Sequence, residues 1–284
     1  MANLKEIRTR ISSVSSTMQI TSAMKMVSAA KLRKAQDSIT NFKPYAEKLQ
    51  SVLSDLSGNQ TEEIIYAKIR EEKKILIVVV SSNKGLCGAF NANVAKKAMT
   101  IADENKSSTI EYAAIGKKAA DFLKYKGADI TKSYNEIYED LSFDNSASIA
   151  EEIMKSFVTG EYDKIYLVYN SFKNAASQII MAEQYLPIIA NNDLLQINHD
   201  YIFEPNKQQI LNHVIPIALK TQVYKAIIDS FASEHGARMT AMHKATDNAN
   251  ELVKELTLTY NKARQAAITN EILEIVGGAE ALNN

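Results

Sequence analysis

The residues with the most obvious chemical potential lie in one short run, Asn83-Lys-Gly-Leu-Cys-Gly-Ala-Phe-Asn91. It follows an apolar run and precedes a helical segment, the place where α/β proteins hold phosphate on the N–H groups of a helix start. Its lysine, its two glycines and the chain's single cysteine suggest phosphate binding or thiol chemistry. The spacing fits neither. A P-loop has four residues between its glycines and then Gly-Lys-Ser/Thr, whereas two residues separate Gly85 from Gly88 and Ala89 follows. The dinucleotide fingerprint needs a third spaced glycine. Cys87 has no histidine near it in sequence to lower its pKa. The run therefore reads as a tight turn in which Gly85 and Gly88 allow unusual backbone angles or close packing, with no catalytic, cofactor-binding or metal-binding residue. The four histidines, His199, His213, His235 and His243, show no ligand spacing, and one cysteine cannot close an internal disulfide.

Charge offers a second chemistry. Lysine plus arginine equals aspartate plus glutamate at 33 each, so net charge excludes nothing. The distribution is uneven. Between Met1 and Gln36 the charged residues are Lys5, Arg8, Arg10, Lys25, Lys31, Arg33 and Lys34 against Glu6 alone. A basic helix face suits an acidic protein partner, an anionic membrane surface or nucleic acid, or is simply solvated. Nucleic acid is the weaker reading, because no aromatic residue is interleaved with these charges. A third polar group is Arg264, Gln265 and Thr269. Gln265 and Thr269 share a helix face, and Arg264 adds a planar fork of donors.

The elements that must position these residues are long helices. Ile217 to Val276 holds no proline and one glycine, Gly236. As a helix it would extend roughly 90 Å, too far for a compact domain, so it must find a partner. Met242, Ala245, Ala249, Leu252, Leu256, Thr259, Ala263 and Ala266 step by three and four, the coiled-coil period. At the other end, Asn3 with Glu6 forms a capping box. Leu4, Ile7, Ile11, Val14 and Met18 then make a stripe that drifts through Ile20, Met24 and Val27 to Leu32, Ala35 and Ile39. Lys43-Pro44 predicts a break, and Tyr45–Leu56 a further helix that ends at Ser57-Gly58. Two narrow seams at opposite ends of the chain predict an antiparallel coiled coil within one molecule; pairing in trans is the alternative.

Between them lies an α/β unit. Glu62–Glu72 reads as helix or irregular, and Lys74–Val80 as a strand covered on both faces. Further strands are expected at Thr109–Ile115, Ile130–Ile137, Lys164–Tyr169 and Gln178–Leu186. Helices are expected at Asn91–Glu104, Lys117–Tyr125, and from a cap at Asn145 or Ser146 to Phe157. Asn170–Ser177 marks a hairpin, so the sheet should be mainly parallel with one antiparallel strand. Asn191–Asn206 is polar and irregular. The fold class is thus α/β: a coiled coil of terminal helices plus a central Rossmann-like unit. The domains are 1–57, 58–206 and 207–284. No apolar run reaches membrane-spanning length, and the N-terminal stretch lacks the apolar core of a signal peptide, which suggests a cytosolic protein.

Three stretches resemble the gamma subunit of F-type ATP synthases. They are Ile20-Thr-Ser-Ala-Met-Lys-Met-Val27 with Ala30-Lys-Leu-Arg33; Ser81-Ser-Asn-Lys-Gly-Leu-Cys-Gly88 with Asn91; and Ala237-Arg-Met-Thr-Ala-Met242, continuing through Ala245-Thr-Asp-Asn248 and Tyr260-Asn-Lys-Ala-Arg-Gln-Ala-Ala-Ile-Thr269 to Val276. The resemblance implies a rotating shaft inside a ring of alpha and beta subunits, one copy per complex. It implies an α/β domain that sits with an epsilon subunit on a proton-driven membrane ring of c subunits. It also implies no active site, cofactor or nucleic-acid partner, and a peripheral place on the cytoplasmic face of a bacterial inner membrane. Met24, Lys31, Arg33, Arg238, Arg264, Gln265 and Thr269 would then contact beta, the basic helix face meeting an acidic beta loop. Family members often carry lysine at the positions of Gln19 and Ser22, and Asp-Arg where this chain has Asn83-Lys84. No cysteine-bearing insertion of the plastid kind is present. The residues read without the resemblance leave another function open: a nucleotide-binding α/β enzyme with a helical dimerisation arm.

Overall fold

The computed structural model describes residues 4–57, 64–175, 177–188 and 207–282. Asn3, Gly58 and the 191–206 segment lie outside the described residues. Those described form two compact units, one from Met1–Val27 and Met239–Asn284, the other from Ser28–Arg238. Helix α1 (Leu4–Ser57) and helix α5 (Lys207–Leu282) contribute to both.

The larger unit is organised by β1 (Lys74–Val80), whose unbroken run of β-branched and leucine side chains is buried from Ile75 onward. Strand alternation sends Ile75, Ile77 and Val79 to one side and Leu76, Val78 and Val80 to the other. The first set packs with Val94, Ala95, Ala98 and Ile101 of α2 (Phe90–Glu104) and Ala119 and Leu123 of α3 (Lys117–Tyr125). The second packs with Ile149, Ile153 and Phe157 of α4 (Phe143–Val158) and Leu211, Ile215, Leu219, Val223 and Ile227 of α5. A strand covered on both faces belongs at the centre of a parallel sheet. The sheet order is β3-β2-β1-β4-β5, with β2 at Thr109–Ile115, β3 at Ile130–Tyr134, β4 at Lys164–Phe172 and β5 at Gln178–Leu186. β1 pairs in parallel with β2 and β4, β2 in parallel with β3, and β5 antiparallel with β4.

Several sequence expectations need correction. β3 ends at Tyr134, and Glu136–Tyr138 turns into a short 3-10 helix. The 62–72 stretch holds only the 3-10 turn Ile65–Ala67 among its described residues. The cap of α4 is Ser142, whose Oγ accepts from the Asn145 N–H at 3.4 Å, so the helix starts earlier than Asn145 or Ser146 would allow. β4 runs on to Phe172, which shortens the hairpin turn. The expected break at Lys43-Pro44 does not occur, since α1 continues through Pro44; α5 starts at Lys207 and includes Pro216. Pro44 and Thr40 are exposed, so the carbonyl deprived of its donor can be solvated. Near this point Phe42 meets Tyr224 edge-on at 5.0 Å, and Tyr224 meets Phe143 at 5.5 Å, ring contacts that hold α1 and α4 to α5 across the proline.

In the smaller unit the helices run antiparallel. Arg8 lies over Tyr260, Thr21 Oγ1 is 2.9 Å from Thr246 Oγ1, and Lys25 Nζ is 3.3 Å from His243 Nδ1, so α5 numbers fall as α1 numbers rise. The seam differs in phase from its sequence reading. Ala249, Leu256 and Ala263 face inward as expected, but their companions are Val253 and Tyr260, while Leu252 and Thr259 are exposed. Both phases step by three and four, so the period alone does not separate them. On α1 the stripe does not drift to Ile20 and Val27, which are 60% and 57% exposed; Thr21 and Met24 carry it forward.

Candidate functional site

The 81–89 loop connects β1 to α2 and is filled by its own polar groups together with Asn91 of α2. Asn91 Oδ1 accepts from the Ser82 N–H at 3.0 Å, and Asn91 Nδ2 donates to Ser82 Oγ at 2.8 Å and Cys87 Sγ at 3.2 Å. Asn83 bridges outward, donating to the Asn135 carbonyl at 2.7 Å and accepting from the Lys117 N–H at 3.0 Å. At the end of β1, Ser81 Oγ accepts from the Ala119 N–H and its carbonyl accepts from the Tyr138 hydroxyl. Gly116 takes φ +100 there, and a Cβ would strike the Ser81 carbonyl. At the loop, Gly88 takes φ +60 and, unexpectedly, so does a leucine: Leu86 has φ 62. Cys87 is buried, and burial pushes its thiol up in pKa, opposite to what a nucleophile needs.

The loop is fastened to α5 by Arg238. Arg238 Nη2 donates to the Lys84 carbonyl at 2.8 Å, and Nε and Nη2 both lie 3.2 Å from the Gly85 carbonyl. Nη1 meets Glu234 Oε1 at 2.6 Å, one helical turn away, and both side chains are 8% exposed. Burial raises the pKa of Glu234 while Arg238 opposes it. A buried pair of this kind stands only when its remaining hydrogen-bonding capacity is used, which the two loop carbonyls do. His235 Nδ1 is 3.4 Å from Arg238 Nη1, its ring packs edge-on against Phe231, and its Nε2 is buried without a partner. Burial, then the charges of Arg238 and Lys31, lowers its pKa to about 3, so the ring is neutral and Nδ1 is the acceptor. At Gly236 a Cβ would lie 3.2 Å from Ala175 Cα, so α5 presses close to the β4–β5 turn at this point.

The expected contact residues fall into three settings. Lys31 and Arg33 are exposed on α1, in the sheet unit. Met24 is half-buried on the same helix in the coiled-coil unit, whereas Arg264, Gln265 and Thr269 are exposed on α5 there. The Thr269 hydroxyl donates to the Gln265 carbonyl at 2.9 Å, which leaves its oxygen as an acceptor toward a partner. Arg238 is different: its guanidinium is enclosed by its own chain. Sequence reasoning missed Glu234 and His235 as its partners. The i, i+4 pair Glu234–Arg238 inside an otherwise apolar and small-residue stretch was the available signal. Neither of two surface concavities, of about 20 and 360 Å³, involves this loop. Among the described residues no group of three or more His, Cys, Asp or Glu is placed to hold a metal.

Comparisons with known proteins agree along the whole chain. A family model described as ATP synthase matches residues 3–282. The ATP synthase gamma chain of Christiangramia forsetii is 60% identical over 286 aligned residues, covering 100% of both chains, and that of Flavobacterium johnsoniae is 59% identical with the same coverage. Among solved structures, the central stalk and c-ring of the Tetrahymena thermophila mitochondrial ATP synthase contains a chain 28% identical, with TM-score 0.62, covering 80% of this chain and 99% of that one. A chain of the Euglena gracilis mitochondrial ATP synthase, 24% identical, shares the fold with TM-score 0.72, covering 98% and 94%.

Proposed function

The chain belongs to the ATP synthase gamma-chain family, and on that premise we propose that its paired helices turn as one piece inside a ring of alternating alpha and beta subunits. It is a subunit of ATP synthase and a part of the central-stalk rotor. The proposal adds the finer assignments. The chain is non-catalytic, present once per complex, and couples proton flow to ATP synthesis or hydrolysis at beta while regulating that activity. Its domains divide at 1–57, 58–206 and 207–284, and the middle one carries the contacts to epsilon and the c ring. It lies peripherally on the cytoplasmic face of the bacterial inner membrane. Among the described residues no helix is long and apolar enough to cross a membrane, which agrees with a peripheral place.

One observation carries this reading. Leu258, Ile268, Ile272, Leu273, Ile275 and Val276 of α5 are 48–65% exposed. An apolar helix end of this length, left uncovered by its own chain among the described residues, calls for an enclosing partner. Interleaved with it are Arg264, Gln265 and Thr269, which supply hydrogen bonds of about 0.5–1.5 kcal/mol each, weak enough to break at every turn. Met24, Lys31 and Arg33 are assigned to the same stationary partner from α1, and Arg238 acts through the loop that it holds. The double substitution Gln265→Leu with Thr269→Val is expected to leave assembly intact and to slow ATP turnover several-fold. Unchanged turnover and coupling at normal assembly would overturn the assignment of this face.

A further inference from the structure

The loop after β1 departs from a P-loop in its glycine spacing, yet its backbone takes the alternation of hand on which phosphate loops rely. Leu86 and Gly88 have φ 62 and 60, Cys87 between them stays negative, and Ala89 has φ −84 at the start of α2. Residues of alternating hand turn successive N–H groups toward one concave side, a nest for anions. Helix α2 has no side-chain cap and no acidic residue in its first turn. Phe90 and Asn93 bond back to the carbonyls of Cys87 and Ala89. Among the described residues the N–H groups of Gly88, Ala89, Asn91 and Ala92 meet no acceptor. Gly88 and Ala89 are exposed, so the concavity opens to solvent on that side. Surface water satisfies an ordinary helix start of this kind. It does not satisfy Asn170, which is 2% exposed and whose Nδ2 is buried without a partner.

The sheet register places that amide. Val168 stands beside Val79, so Asn170 is level with Ser81, where the loop begins. Strand alternation gives Asn170 the side of Val168, which packs with Val94, Ala95 and Ala98 of α2. Helix α2 runs from the end of β1 back to the start of β2, so its N-terminal turn is the part above Asn170. On β5, Ile180 pairs with Asn170 and joins the same cluster. Gln178 is two residues before it on that side, and its Nε2 is also buried without a partner. β1 and β4 are adjacent strands whose helices leave to opposite faces, α2 to one and α4 to the other. Open α/β sheets take ligands beyond the carboxyl ends of such a pair. We propose that the 86–89 nest, the first turn of α2 and the Asn170 amide form a site for a phosphoryl group, as inorganic phosphate or as a phosphate of a nucleotide. These groups are donors, which suits an anion that only accepts, and its tetrahedral oxygens can face the nest and Asn170 together. The helix start adds positive partial charge, and exposed Lys84 adds a cation in the same loop. The site belongs to this chain alone and does not depend on the rotor reading.

The test is a titration of the full chain with inorganic phosphate, followed by amide NMR and set against sodium chloride at matched ionic strength. Phosphate is expected to move the resonances of Gly88, Ala89, Asn91 and Ala92 saturably, and chloride to leave them in place. Asn170→Leu, close in volume, should weaken the apparent affinity about tenfold or more, as befits one lost hydrogen bond to a charged group. Ala89→Asp puts the chain's own carboxylate at the helix start, and should abolish the phosphate shifts while the β1 and β2 amides stay where they are. Parallel titrations with ADP and ATP separate the two sources: tighter binding than phosphate identifies a nucleotide, equal or weaker binding identifies free phosphate. No saturable shift in the wild-type chain, or the same shift with chloride, would overturn the proposal. So would an unchanged affinity in Asn170→Leu with native sheet resonances. Should that variant not fold, undiminished phosphate binding by Ala89→Asp would overturn it instead.

Discussion

In the sheet unit, β1 alone buries six consecutive side chains between two helical layers, and Phe157, Ile165, Leu167, Ile215 and Ile227 are almost fully enclosed around it. In the coiled-coil unit the buried apolar residues among those described are Ile7, Met242 and Ala249. The same two helices supply both units, so helix propensity does not explain the contrast. The number of layers does. A sheet between helices encloses whole side chains, whereas a pair of helices covers one narrow stripe on each and leaves the rest to solvent or to another protein. The sheet unit is a body that stabilises itself; the coiled-coil unit is a surface awaiting a bearing.

The strongest way to break this contrast is to remove one side chain from each unit. Phe157→Ala in the sheet unit should cost about 3–5 kcal/mol, read by urea unfolding of the isolated chain. Met242→Ala should fall at or below the low end of the range for buried methionine, about 2 kcal/mol, because few atoms surround the space it leaves. Equal costs would mean that the coiled-coil seam is a true core. Next in size is Gly116→Ala. The positive φ and the Ser81 carbonyl both oppose a Cβ, so a loss of about 1–3 kcal/mol is expected from the backbone alone, again by urea unfolding.

The contrast sharpens with pH, because His235 is enclosed in the sheet unit. Its folded pKa of about 3 lies below the ordinary 6.5, so the unfolded chain binds a proton that the folded one refuses. Its stabilising share is complete above about 6.5 and is lost as pH falls toward 3, with a slope of up to about 1.4 kcal/mol per pH unit. Asp229 and Glu234, both raised by burial, act in the opposite sense at the acid end of that interval. His235→Gln should flatten the pH dependence of the unfolding free energy between about pH 6.5 and 4.5; an unaltered slope would show that the proton binds elsewhere.

The smallest effect is expected at the Thr21–Thr246 pair in the coiled-coil unit. Each hydroxyl also lies within bonding range of a carbonyl on its own helix, at Met18 and Met242. One of them must donate across the seam. Replacing both by valine removes donor and acceptor together, so stability should change by no more than about 1 kcal/mol. Replacing one should cost more than replacing both, a difference that a double-mutant cycle on urea midpoints resolves.

How much of this was legible in the sequence follows the same division. The strands of the sheet declared themselves because burial on both faces leaves no polar residue in Ile75–Val80, and α3 was bounded at its C-terminal end by Gly127 at φ +79. The phase of the coiled-coil seam did not, because Ala249, Leu256 and Ala263 are compatible with companions one residue to either side. Val253 and Tyr260 won over Leu252 and Thr259, and the large ring of Tyr260 takes Arg8 across its face, a contact invisible along the chain. Proline was over-read at Lys43-Pro44, where a break was expected and α1 runs on. The loop after β1 was read as a turn, and the positive φ of Gly88 fits a turn there. That its carbonyls are aimed at Arg238, more than a hundred residues later, was beyond any local pattern.

The antiparallel pairing of the two chain ends also sets the order in which the molecule can be made. The α1 residues of the coiled-coil unit leave the ribosome first, and their partners from Met239 onward leave last, more than two hundred residues later. At about 5–20 residues per second that is an interval of roughly 10–40 s. Through it Ile7, Ile11, Val14 and Met18 have no mate, while every strand of the sheet has already been synthesised. Helix α1 is thus made well before its coiled-coil partner. A nascent chain stalled before Met239 would expose a single apolar stripe, the kind of surface that holdase chaperones retain until translation is complete.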